Sequence, residues 1–218
     1  PSETALTEAG LEPARTGRVL LIACGALAHE ILALTRLNGW DHLDLACLPA
    51  ILHNRPERIA PAVEDAVRRH RGSYDSIFVV YADCGTGGEL ARTCDRLGVG
   101  MMRGPHCYAF FEGVERFEGR GEVTSFYLTD FLARQFDAFV WRPLGLDRHP
   151  ELRDAYFGNY ETLVHLAQTD DPDLDALARR HAARLGLRHE RRFTGLGPLA
   201  EELTAVADAA APGPTPRG

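Results

Sequence analysis

The sequence predicts an α/β protein: a single domain with a mainly parallel β-sheet and helices on both faces, Rossmann-like and doubly wound. Three observations lead there. Short apolar runs recur at residues 19–23, 43–48, 76–82 and 99–102, as expected for strands buried on both faces. Stretches with helical spacing separate them. The connections run to about ten residues or more, enough for the crossover that parallel strands need.

Residues 1–17 carry no sustained period and are expected to form a loose arm. The run VLLIA at 19–23 is the first strand and ends at Cys24-Gly25. Leu27, Ile31, Leu34 and Leu37 then mark one helix face, and Asn38-Gly39 supplies a C-terminal stop. Residues 43–48 form the second strand. Asn54 and Glu57 sit in capping-box spacing ahead of a third helical stretch, which runs to about His70. Residues 76–82 form the third strand, 88–97 a helix, 99–102 the fourth strand and 107–117 a helix interrupted at Gly113. Further on, 129–138 reads as a helix capped by Thr129, and 150–157 as a short helix stopped at Gly158-Asn159. Residues 162–167 and 187–193 read as strands, and 173–185 and 199–207 as helices. The alternation continues, so one sheet is extended through residues 18–208. Residues 209–218, rich in Ala, Pro and Gly, are expected to be a disordered tail.

The chain has 218 residues, 45% of them hydrophobic, which suffices for a sizeable core. A net charge of −7 and a pI near 5.7 speak against nucleic acid as a partner, because a phosphate backbone needs a basic face. All 24 basic residues are arginine. Schiff-base chemistry, a P-loop lysine and a lysine general base are therefore excluded. No apolar run is long enough to span a bilayer, and the first residues lack a signal-peptide layout. The expectation is a soluble cytoplasmic protein acting on a small-molecule substrate. There, five cysteines are expected to be reduced, metal-binding or catalytic rather than disulfide-bonded.

Cys24, His53, Cys84, His106 and Cys107 each follow a predicted strand. Parallel α/β sheets bind ligands outside the carboxyl ends of their strands, so these residues belong to one edge. Three thiolates and two imidazoles suit zinc, with Cys24, Cys84 and Cys107 as ligands and His53 or His106 as the fourth ligand or the acid/base. The same thiolates could hold a [4Fe-4S] cluster with one open iron. A metal-free reading makes Cys84 a nucleophile, with His53 or His106 as its base. Asp83 either orients a metal-bound histidine or caps the turn. Gly85, Thr86, Gly87 and Gly88 could present backbone amides to an anionic group, or simply form a tight strand-to-helix turn. Cys47 and Cys94 fall inside predicted elements and read as buried small hydrophobes. His165, in an apolar strand, reads as a core histidine; His189, among polar residues, is assigned no role.

The combination LIACGAL (21–27), LPAILHNRPERI (48–59), YADCGTGG (81–88), GPHCYAFF (104–111), FYLTDFL (126–132) and LGLDRHPELRDAYFGNY (144–160) resembles a family of bacterial and archaeal proteins known as domain of unknown function 1638. The likeness covers roughly residues 18–193. It implies no established reaction. Members are often encoded near corrinoid-dependent methyltransferases, which implies methyl transfer or corrinoid handling and a corrinoid protein or methyltransferase as partner. The expected function is a metal-dependent hydrolase, lyase or methyltransferase using Lewis-acid activation of water or a thiol. The alternative is a non-enzymatic corrinoid- or metal-binding accessory protein.

Overall fold

A computed structural model describes residues 1–210. The α/β class and the parallel strands are as predicted, but the strands fall into two sheets rather than one. The first has the order β2-β1-β3-β4 and the second β5-β6-β7, and every pairing within them is parallel. Contacts divide the chain into two compact units: Pro1–Pro105 with the chain from Leu199 onward, and His106–Pro198.

The first unit begins with helix α1 (Glu3–Glu8), capped by the Ser2 hydroxyl. This corrects the loose arm expected there. Leu6 is fully buried, and Leu11 exchanges backbone hydrogen bonds with Cys47. Strand β1 (Val19–Cys24) is buried along its whole length and occupies the sheet interior between β2 (Leu43–Leu48) and β3 (Ser76–Val80). Each fully buried aliphatic side chain there contributes about 1.5–3 kcal/mol. Helix α2 (Ala28–Asn38) ends at Gly39 in the left-handed conformation, the stop the sequence predicts. The Asn54 cap does not form: a 3-10 turn at Pro56–Arg58 leads into α3 (Ile59–His70), whose N-terminus has no side-chain cap. Pro56 accounts for the delay, since the residue before a proline is pushed out of helical geometry. Helix α4 (Glu89–Leu97) precedes the two-residue strand β4 (Gly100–Met101).

The second unit opens with α5 (Ala109–Glu112) and α6 (Val114–Arg120), broken at Gly113 as expected. Strand β5 (Ser125–Thr129) is an element the sequence reading lacked. Thr129 is its last residue and also the N-cap of α7 (Asp130–Arg134), accepting from the Leu132 amide. The predicted helix to residue 138 is thus shorter, and a π-type turn follows at Asp137–Trp141. Helix α8 (Arg153–Phe157) leads to β6 (Thr162–Ala167), α9 (Pro172–Leu185) and β7 (Arg188–Phe193). Leu128, Phe136, Leu163, Phe157 and Leu185 form its core. Helix α10 (Gly197–Ala210) closes the described chain. Its last two residues include the start of the expected tail; residues 211–218 lie outside the described part.

Candidate metal centre

Register sets the geometry of the first sheet's carboxyl edge. Cys24 pairs with Leu48 and Ala23 with Val80, so β1, β2 and β3 end at one level. Cys24 is the last residue of β1, and His53 and Cys84 follow the ends of β2 and β3. Cys24 is buried, and its sulfur accepts the Ala26 amide at 3.3 Å. Gly25 follows because nothing larger fits: a Cβ there would meet the Leu6 carbonyl oxygen at 2.3 Å. Helix α1 therefore packs directly against the exit of β1.

His53 lies in a 3-10 turn (Ala50–Asn54) after β2. Its Nδ1 is 3.6 Å from Cys24 Sγ and 3.2 Å from the Ala50 carbonyl oxygen. With the proton on Nδ1 the ring donates to that carbonyl. In the other tautomer Nδ1 turns its lone pair toward the sulfur. A nitrogen of His53 and the sulfur of Cys84 lie within 4.8 Å. The ring also stacks on Tyr81, with centroids 6.2 Å apart and planes 13° apart. Burial opposes charge on this imidazole. The sulfurs of Cys24 and Cys84 outweigh it, and the His53 pKa is raised well above the ordinary value.

Cys84 is buried and adopts φ +49°, a left-handed conformation unusual for a residue with a Cβ. Its amide donates to the Pro105 carbonyl at 3.0 Å, and that of Asp83 to Gly104 at 2.9 Å. Strain of this kind costs about 1–3 kcal/mol and persists only where the surroundings enforce it.

The glycine loop is already engaged by its own chain. Asp83 accepts from the amides of Gly87 and Gly88 at 3.1 and 2.6 Å and from the Thr86 hydroxyl at 2.8 Å. The Thr86 amide donates to the Asp83 carbonyl. Burial pushes the Asp83 carboxyl up, but the hydrogen bonds from Gly88, Thr86, Gly87 and Gly85 more than offset this and its pKa is lowered. The nest expected for an anionic ligand at Gly85, Thr86, Gly87 and Gly88 thus holds the Asp83 carboxylate, and Asp83 closes the turn.

His106 and Cys107 fall at the start of the second unit. His106 is exposed, its ring 5.9 Å from that of Tyr108; Cys107 is partly buried. Cys47 and Cys94 are buried, and burial pushes both thiols up, that of Cys94 to about 11.

The fold and this edge define a class: a parallel α/β protein whose strand ends carry a thiol–imidazole cluster. The chain belongs to the family described as "Protein of unknown function (DUF1638)", whose model matches residues 47–203. His53, Cys84 and Cys107 lie within the matched segment, and Cys24 precedes it. Neither the curated proteins nor the solved structures give a match. No helix among the described residues is long and apolar enough to cross a membrane.

Proposed function

We propose that this protein is a metal-dependent enzyme acting on a small molecule, with zinc as the metal at the carboxyl edge of β1, β2 and β3. The observation that carries the reading is the spacing of Cys24 Sγ and His53 Nδ1. A tetrahedral zinc with Zn–S near 2.3 Å and Zn–N near 2.0–2.1 Å separates sulfur from nitrogen by about 3.6 Å. The separation here is 3.6 Å. The Cys84 sulfur also lies within 4.8 Å of a ligand nitrogen of His53, in a group that does not include Cys24. Cys107, the third sulfur expected from the sequence, belongs to the second unit. Thiolate and imidazole are the donors zinc prefers, and when bound it would supply Lewis-acid activation of water or a thiol. The ligands come from separate strand ends, where parallel α/β sheets place their ligands.

Within this reading His53 is a ligand, Cys84 is held toward it by a strained backbone, and Asp83 keeps the turn that bears Cys84 closed. Hydrolysis, elimination and methyl transfer all draw on such a centre. Aerobic and anaerobic purification followed by metal analysis tests it. The expected result is bound zinc, one equivalent of which is lost on Cys84→Ala. A brown protein with iron and sulfide would replace zinc by a cluster, and a folded protein with no bound metal under either condition would overturn the reading.

A further inference from the structure

A second group of unsatisfied donors lies in the other unit, on one face of the β5-β6-β7 sheet. Register pairs Leu163 with His189, so His189 on β7 and His165 on β6 project from the same face, one diagonal step apart. Helix α9 packs against β6 and β7, and its first turn carries Asp175. His189 Nε2 is 3.4 Å from Asp175 Oδ1, and His165 Nδ1 is 4.0 Å from the same oxygen. All three ligand atoms lie within 4.8 Å of one another.

These atoms are buried, and none has a hydrogen-bond partner. The side chain of His165 is 1% exposed and that of His189 7%. Neighbouring polar atoms on Asp175, His165 and Asp130 are engaged. Asp175 Oδ2 takes Arg179 at 2.9 Å. His165 Nε2 meets Asp130 Oδ1 at 2.9 Å. Asp130 is anchored in turn by the Thr169 amide at 2.9 Å and the Thr169 hydroxyl at 2.6 Å. With the Nε2 proton donated to Asp130, Nδ1 of His165 is a lone pair. It then faces a carboxylate oxygen, acceptor against acceptor, with both atoms buried. Leaving such groups unpaired costs about 1–3 kcal/mol each.

We propose that His165 Nδ1, Asp175 Oδ1 and His189 Nε2 bind a divalent first-row transition metal ion, a second centre distinct in residues and chemistry from the thiol–imidazole edge. Two imidazoles and one carboxylate are the donor set of zinc hydrolases and of non-haem ferrous sites. Such a set leaves coordination positions for water or substrate. Asp130 is the positioning residue: a carboxylate on the far ring nitrogen fixes the tautomer and orients the ring. An ion between the three atoms removes the lone-pair conflict that the protein alone leaves in place.

The test uses the full-length protein, stripped with a chelator and titrated with cobalt(II), followed by absorption and by equilibrium dialysis. Cobalt at a thiolate site gives a sulfur-to-metal charge-transfer band; cobalt at this site gives ligand-field bands without it. The expected result is a component of bound cobalt lacking the charge-transfer band. His189→Ala and Asp175→Asn each remove that component and leave the charge-transfer band intact. Asp175→Asn keeps size and shape, so it carries the test should His189→Ala fail to fold, as judged by circular dichroism. Asp130→Asn weakens the component by about 10–100-fold without abolishing it. Wild-type protein with no such component, or folded Asp175→Asn that retains it at full affinity, overturns the proposal.

Discussion

The carboxylate of Asp83 accepts the amides of Gly87 and Gly88, so the glycine turn after β3 is closed by its own chain. Cys84 sits inside that closure at φ +49°. Asp83→Ala removes a charged acceptor from two amides and a hydroxyl. Hydrogen bonds to charged groups contribute about 1.5–3 kcal/mol each, not additively, so a loss of about 2–3 kcal/mol is expected in urea denaturation. The same variant loosens Cys84 and lowers bound metal. Unchanged stability and unchanged metal would show that the turn holds its shape without Asp83.

The buried first helix makes a second prediction. Leu6→Ala deletes a fully buried side chain and is expected to destabilise by about 2–5 kcal/mol. Gly25→Ala forces a methyl into the Leu6 carbonyl and acts at the same contact. Thermal melts of both variants check this; wild-type melting in both would restore the loose arm.

Thiol labelling separates the cysteines. Burial holds the pKa of Cys94 up to about 11 and pushes that of Cys47 up as well. Only the thiolate is nucleophilic, so neither reacts with iodoacetamide at neutral pH in the folded state. Mass spectrometry of the labelled protein is expected to find Cys107, the partly exposed one, modified first.

Acid stability of the second unit rests partly on Glu122. The Arg192 guanidinium binds it through two nitrogens at 2.8 and 2.9 Å, and this, with the Tyr127 hydroxyl, holds its pKa below the usual range despite burial. A lowered folded pKa gives stability that is complete above the unfolded value near pH 4.3 and lost as pH falls through the folded one. Glu122→Gln is expected to make the acid limb of the stability profile shallower than wild type, the remaining slope coming from Asp83 and Asp130, whose pKa values are also lowered. A profile as steep as wild type would place the acid sensitivity elsewhere.

Much of this was legible in the residues. The apolar run of β1 is continuous, those of β2 and β6 are interrupted only by Asp44 and by Thr162 and His165, and the left-handed stops of α2 and α9 fall at glycines. Strand β5 was hidden because its five residues pass directly into α7 through Thr129, which serves both elements. Helix α1 was hidden because six residues are too few to show a period. The break into two sheets has no sequence marker, since the alternation of strand and helix runs on unchanged. Glycine spacing at residues 85–88 showed that amides would be exposed by a turn, and a cap by Asp83 was one of two readings of that residue; the structure shows the cap. His189 looked like one polar residue among others; only the register across β6 and β7 sets it beside His165.

The central claim concerns Cys24, His53 and Cys84, and anaerobic metal analysis with absorption spectroscopy reads it most directly. In the Asp175→Asn background, which removes the second centre, the account predicts a colourless protein with one zinc per chain, an ion that Cys84→Ala and His53→Ala lose while Cys94→Ala keeps. A well-folded wild-type protein that carries no metal, or a folded Cys84→Ala variant with its full zinc content, would contradict it.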